Sequence, residues 1–592
     1  MKFSRLCAAL MIAAVGLTAC GDDSQTPSPP GAPSGITMTP NGTTITVTWT
    51  AGSGATSHRV TLSTPGETDR TETTADAATT TVEFTGLTQG STYAALVVAI
   101  NGDGETAGAI KTAMIDPAAP TYVDVTEDIL SDKTWTSDKV WRITKPIFVG
   151  VDCGTDGADP DCVSATLTIE PGTTVVGQTN LSQGVRGAYL VISRGSKIIA
   201  DATGADRPPT AAEVIVFTSD KPKGQRARGD WGGLVINGRA TTNAGVEAEG
   251  EGDSGFYGGD DDEDDSGIIR GVRIEFAGDR VTPTDELNGL APQGVGSGTT
   301  VSYVQVHYNV DDGTEPFGGT VSMDHVVLTG IGDDTLDGTD GWRGWMQFVV
   351  GQQRGDEADN GMEISNDGQD SDASPKSTGV IANATMIGAG NQAGEIGLAA
   401  NGDRGVQFRE ASHHRVYNSI FRDFGDAGFC VENAGTVANA DNRLAPSTDP
   451  QTTISFESNV LWNNAAADDD DLNFEGCDGY TTAENKTFFE TAGFNNILAD
   501  PLLAATYNTF GTQSAPPEII ASAAPTGYTA FDLTSLTVDD VNLFDPTDGR
   551  TLVDTDYPGA VEPGTALGDA WYNGWTVWTV DGSDSRANHL GN

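Results

Sequence analysis

Val272-Arg273-Ile274-Glu275-Phe276, then Val304-Gln305-Val306-His307-Tyr308, then His325-Val326-Val327-Leu328 are three short runs rich in β-branched residues, separated by Gly, Asn and Asp. That spacing decides the fold. Runs of this length and composition read as strands, and polar turn residues close each one. The same punctuation extends upstream through Ala165-Thr166-Leu167-Thr168-Ile169, Tyr189-Leu190-Val191-Ile192, Val214-Ile215-Val216-Phe217 and Leu234-Val235-Ile236. Downstream it recurs in His414-Arg415-Val416-Tyr417-Asn418-Ser419-Ile420-Phe421. Helical periodicity is scarce. Strands continuing for hundreds of residues without a break favour a right-handed parallel β-helix over a sandwich or barrel. Asn418 and Asn459 sit where turn asparagines can stack their amides between rungs.

Ahead of this region the chain is organised differently. Met1-Lys2-Phe3-Ser4-Arg5 is a basic opening, and the apolar run Leu6 to Leu17 is too short for a permanent membrane helix, so it reads as a signal peptide. It closes on Leu17-Thr18-Ala19-Cys20, which resembles the lipobox of bacterial lipoproteins; the resemblance implies acylation of Cys20. Gly21, rather than Asp, follows the cysteine, which favours an outer-membrane lipoprotein exposed at the cell surface. The expected organisation is a signal peptide over 1–19, a lipidated flexible tether over 20–33, a small β-sandwich over 34–115 and the β-helix with a C-terminal capping segment over 120–592.

The sandwich carries Thr44-Ile45-Thr46-Val47-Thr48-Trp49 and Tyr93-Ala94-Ala95-Leu96-Val97-Val98-Ala99, alternating as half-buried strands do. It resembles a fibronectin type III domain. Trp49 matches the core tryptophan, and Leu87 to Tyr93 matches the approach to the tyrosine corner.

The long region resembles the secreted or lipid-anchored β-helix proteins of Gram-negative bacteria. The carrying segments include Thr134 to Trp141, Leu167 to Thr173, Trp231-Gly232-Gly233-Leu234-Val235-Ile236-Asn237-Gly238, Gly294 to Thr299 and Phe317-Gly318-Gly319-Thr320-Val321. The resemblance spans roughly residues 125 to 580 and implies a pectate-lyase-like fold without an established activity.

Composition narrows the partners. Lysine plus arginine total 32 against 84 acidic residues, a net charge of −52. The balance argues strongly against nucleic acid, whose phosphates need a basic surface. Divalent cations and a solvated acidic surface both suit this balance. Of six cysteines, Cys153 with Cys162 and Cys430 with Cys477 read as two disulfides in an oxidising compartment.

Acids concentrate between Asp311 and Asp370. Asp311, Asp312, Glu315, Asp333, Asp334, Asp337 and Asp340 fall at two successive strand ends, and Glu363, Asn366, Asp367 and Asp370 follow. Stacked turns would bring them to one face, where hard oxygen ligands select Ca²⁺. The run Asp260 to Asp265 is a second candidate. Arg343, Arg354, Arg404 and Arg409 are expected near this face. In a polysaccharide lyase such a base would abstract a proton beside the cation; in a glycosidase Asp333 and Asp334 would act as a carboxylate pair. Trp342 and Trp345 flank the acids as candidate stacking surfaces for sugars. The tryptophans from Trp571 to Trp578 read as an end cap, and His413-His414 as surface residues. The expected role is a calcium-stabilised, non-catalytic surface lipoprotein that binds extracellular polymers. A lyase or hydrolase, and a structural coat component, are the alternatives.

Overall fold

A computed structural model describes residues 28–586, apart from 65–66, 89–90, 116–121, 180–186, 283–284, 369, 390–403, 445–452, 465–472, 475, 505–515 and 537–545. The lipobox and Cys20 lie outside the described residues. Among the described residues, no helix is long and apolar enough to cross a membrane. The chain divides into two compact units, Met1–Ala119 and Pro120–Asn592.

The first unit is a two-sheet sandwich. Ser34–Asn41, Thr44–Thr50 and Thr81–Phe84 form one sheet; Ser57–Ser63, Arg70–Thr73, Thr92–Asn101, Gly104–Ala107 and Lys111–Met114 form the other. Every second residue of Thr44–Thr50 is buried, placing Ile45, Val47 and Trp49 against Val60, Leu62, Tyr93 and Val97. The Tyr93 hydroxyl accepts from the Thr88 N–H at 2.9 Å, pinning the corner that the sequence indicates.

The second unit is a parallel solenoid. Its longest sheet joins strands of successive rungs in register: Val272 pairs Val304, Val304 pairs Val326, Val326 pairs Val349 and Val349 pairs Ala384. These valines point inward and build one continuous apolar core from Val125 to Phe494. Each long strand bends midway at a residue with left-handed backbone. Gly271, Tyr303, His325, Phe348, Asn383 and Asn418 occupy this position in six consecutive rungs, with φ between 50° and 70°. Glycine and asparagine adopt that conformation readily and histidine tolerates it, but Tyr and Phe are strained there. Stacking offsets the strain: the Tyr303 and His325 rings lie 4.4 Å apart and those of His325 and Phe348 4.9 Å.

A second sheet forms a third side through Ile147–Val149, Tyr189–Ile192, Gly233–Asn237 and Leu290–Gln293. Single bridges carry it past Thr314 and Phe317 to Leu336–Gly338, Met362–Ile364, Gln407–Phe408 and Cys430–Val431. Asparagine stacking is present, though shifted. Asn459 Oδ1 accepts from Ser419 N and Asn496 Oδ1 from Asn459 N, whereas Asn418 turns outward to Phe531. Both cysteine pairs are disulfides, with Cα atoms 4.3 Å and 6.2 Å apart.

The solenoid end is closed by the helix Thr482–Phe489, whose Phe488 and Phe489 pack on Phe429 and Phe474. The C-terminal tryptophans therefore do not form the end cap expected of them. The described residues between Ile519 and Arg586 instead run along the outside of the long sheet, and Tyr572, Trp575 and Trp578 are buried there.

Candidate metal centre

The turn entering the third side repeats one hydrogen bond from rung to rung. Asn288 Oδ1 accepts from Asp312 N at 3.1 Å, Asp312 Oδ1 from Asp334 N at 2.9 Å, and Asp334 Oδ1 from Asn360 N at 2.6 Å. Side-chain oxygens thus satisfy backbone donors that no strand reaches. One oxygen per residue suffices for this ladder. The second function of Asn288 is its Nδ2, which donates to Glu315 at 2.7 Å and Glu251 at 3.2 Å. Asp312 and Asp334 place a carboxylate oxygen where Asn288 has that donor.

The neighbouring strand position on the third side is acidic in three consecutive rungs. Asp337 pairs Glu363 in register, and the Phe317–Thr339 bridge sets Glu315 beside Asp337. Ladder and strand acids converge. Asp312, Glu315 and Asp337 bring carboxylate oxygens within 4.8 Å of one another, and all three are buried. Two further groups meet the same distance: Glu286 with Asp311 and Asp333, and Asp333 with Asp334 and Asp359. Burial pushes the pKa values of Asp312, Glu315, Asp334 and Asp337 well above the usual carboxylate range, and neighbouring carboxylates add to the effect at each. Glu363 is also raised by burial, against the opposing pull of Arg409, whose Nη1 lies 2.5 Å from its Oε2. These are oxygen-only donor sets of the kind that hard divalent cations take.

Six of the seven expected acids join this constellation. Asp340 does not; it accepts from the Tyr257 hydroxyl at 2.9 Å, and burial lifts its pKa to about 6. Glu286, Asp359 and the amide of Asn288 belong to the site but escape a reading based on acid density. The signal that finds them is the interval of 22 to 26 residues between ladder positions.

The structure places the remaining candidate residues elsewhere. Trp342 and Trp345 are 0% and 1% exposed, so neither offers a face to a sugar. Trp342 lies in the solenoid interior and donates to Val321 O, while Trp345 packs on Val380, Tyr417 and Leu533. Arg343 holds Asp262 in a fork at 2.8 Å and 3.1 Å, and a guanidinium committed in this way does not serve as a proton-abstracting base beside Asp333 and Asp334. Arg354 engages Tyr308 and Asp356, and Arg404 bonds to Gln407. The Asp260–Asp265 run is compensated in part: Arg239 pairs Asp261 and Asp264, Arg343 pairs Asp262, and Lys197 pairs Asp265. His413 and His414 are buried, not superficial, and burial pulls His414 down to about 3.

Comparison with known proteins agrees with this architecture. Residues 31–112 match the fibronectin type III domain. Among solved structures, the FN5 domain of Drosophila Lar is 21% identical, over 15% of this chain and 99% of that one, with a TM-score of 0.14. An fn3 domain of human collagen α-1(XX) is 20% identical, over 17% of this chain and 98% of that one, with a TM-score of 0.15. No curated protein matches the chain significantly. The model of the pectate-lyase-like β-helix domain matches residues 160–496, more than half of the sequence. With its solenoid of parallel rungs and that match, the chain belongs to the pectate-lyase-like β-helix family and carries a fibronectin type III domain ahead of the helix.

Proposed function

We propose that this is a lipid-anchored surface protein whose solenoid is stabilised by Ca²⁺ and binds extracellular anionic polymers, without cleaving them. A β-helix behind a fibronectin type III domain fits a surface or polysaccharide-related protein. The observation that carries the calcium reading is the convergence of buried Asp312, Glu315 and Asp337 at a position where the preceding rung uses an amide donor. Burying like charges is costly unless a cation compensates. Arg409 supplies one positive charge at Glu363, at the far end of the column.

The polymer reading follows from charge. A chain of net charge −52 repels an anionic polysaccharide, so attraction requires a bridging cation. Glu286 and Asp333 form a half-buried rim to the column, where a Ca²⁺ can keep coordination positions open to a polymer carboxylate. The alternative of a lyase needs a base beside that cation, and Arg343 is committed to Asp262.

The test is to apply residues 34–592 to immobilised acidic and neutral polysaccharides, in Ca²⁺ or in chelator, while following polymer chain length. Saturable retention on acidic polymers in Ca²⁺, lost in chelator and without shortening, is the expected result. Shortening of any polymer would replace this reading by the catalytic one. Equal retention in chelator would remove the bridging role of the cation.

A further inference from the structure

Among the described residues, sheet pairing in the solenoid ends at Ile497–Leu498, yet the chain continues for almost a hundred residues. Between Ile519 and Arg586 its described residues add no strand to any sheet; their regular structure is two short turns, Leu533–Ser535 and Leu567–Asp569, and a single antiparallel bridge from Ala521 to Leu503. The segment is nevertheless held closely, and the manner of holding is unusual. Gln305 donates from Nε2 to Val577 O at 2.8 Å and accepts at Oε1 from Val577 N at 2.9 Å. Gln347 treats Val553 identically, at 2.7 Å and 2.8 Å. Asn418 does the same to Phe531, at 3.0 Å and 2.8 Å. Asn383 donates to Tyr557 O at 3.1 Å and Gly559 O at 3.3 Å.

Three side-chain amides therefore each grip both backbone groups of a single residue. This is the donor–acceptor pairing that a neighbouring strand would supply, and it reads an extended backbone regardless of side chain. Between the grips, outward-facing Phe276, Val327, Val350 and Ile387 are covered by Ile519, Val561, Tyr572 and Trp578. The far end is fastened where Arg586 donates to Gly172 O at 2.8 Å and Val214 O at 3.0 Å, and Arg226 donates to Ser585 Oγ at 2.7 Å. None of the solenoid's rung-to-rung pairings passes through this segment.

We propose that the outward face of the long sheet is a binding site for an extended polypeptide, and that residues 519–536 and 546–586 are its exchangeable occupant. The partner it fits is the C-terminal segment of a second copy of this chain, which presents the same backbone and the same apolar residues. Exchange of the segment between copies is a route to linked solenoids at the cell surface.

The experiment uses the full chain with a protease site inserted between Ser522 and Ala523, both exposed. After cleavage the nicked protein is mixed with fluorescently labelled fragment 523–592, and exchange is followed while circular dichroism monitors the sheets. The expected result is that labelled fragment enters while the solenoid signal stays constant. Gln305→Leu and Gln347→Leu each remove the two hydrogen bonds that reach the segment, of roughly 1 kcal/mol apiece, and each should speed release by about 30-fold. Should one variant fail to fold, the other and Asn418→Leu give the same reading. Release of the fragment only together with melting of the solenoid would overturn the proposal. So would wild-type exchange rates in the amide variants.

Discussion

Asp312→Asn is the sharpest perturbation of the acidic column, because Asn288 already shows what an amide does at that position. In the variant Oδ1 still accepts from Asp334 N, so the ladder survives. The new Nδ2 faces the acids of the next rungs, as Asn288 Nδ2 faces Glu315. The magnitude follows from the spacing. Unit charges no more than 4.8 Å apart repel by about 3.5 kcal/mol or more at an effective dielectric of about 20. Asp312 faces both Glu315 and Asp337, but the buried column relieves much of this repulsion by retaining protons. A net gain on the order of 1–3 kcal/mol is expected in chelator near neutral pH. The sign with pH is opposite to that of a salt-bridged acid. These carboxyls have folded-state pKa values above their unfolded ones, so the folded state binds more protons. Their contribution to stability is complete below the unfolded pKa of about 4 and is lost as pH rises toward the raised values. Thermal unfolding in chelator should therefore show stability falling as pH rises above the unfolded pKa of about 4, with a shallower fall in Asp312→Asn. Added Ca²⁺ should lift the wild type more than the variant. A chelated wild type that gains stability over this range, or a variant less stable than it near neutral pH, would refute the reasoning.

Arg409→Met removes the charge that faces Glu363 and Glu410; a loss of about 3 kcal/mol is expected in denaturant titrations at neutral pH, shrinking on acidification. Glu275→Gln leaves Arg226 and Arg273 buried without their carboxylate, costing about 3–5 kcal/mol, and hydrogen exchange should rise first over residues 572–586. Trp342→Ala should cost about 3–5 kcal/mol in unfolding experiments while leaving calcium-dependent polymer retention intact well below the melting temperature, since the ring lies inside the solenoid. Replacing Cys430 and Cys477 by serine opens a loop of 47 residues and should lower stability by about 4 kcal/mol, measured against the disulfide-bonded wild type.

The strand runs, the sandwich with Trp49 and Tyr93, and both cysteine pairs were legible in the sequence because each depends on local pattern. Six of the seven acids were legible too, since two successive turns each carry several of them. What stayed hidden was long-range. Tyr303, His325 and Phe348 have no local reason for left-handed backbone; the stack that supports it joins residues a full rung apart. Trp342 and Trp345 sit beside acids in sequence, but one points into the interior and the other lies under Leu533, almost two hundred residues on. The C-terminal segment has neither repeat nor strand pattern. Its anchors, such as Val577 on Gln305 and Ser585 on Arg226, span 272 and 359 residues.

The ladder residues supply the strongest physical argument that the acidic column has a partner. Asparagine performs the backbone task fully at Asn288, and again on the long sheet at Asn459 and Asn496. Aspartate at 312 and 334 accepts the same single hydrogen bond and gains nothing further from the backbone. It brings instead a second oxygen that is buried beside other carboxylates and must be desolvated. As far as the fold alone is concerned, amides at these two rungs would be cheaper. Carboxylates there are advantageous only when positive charge occupies the space between rungs, either protons at low pH or a cation at neutral pH. Calcium and acid should therefore stabilise the same rungs, and the effect of each should diminish when the other is already present.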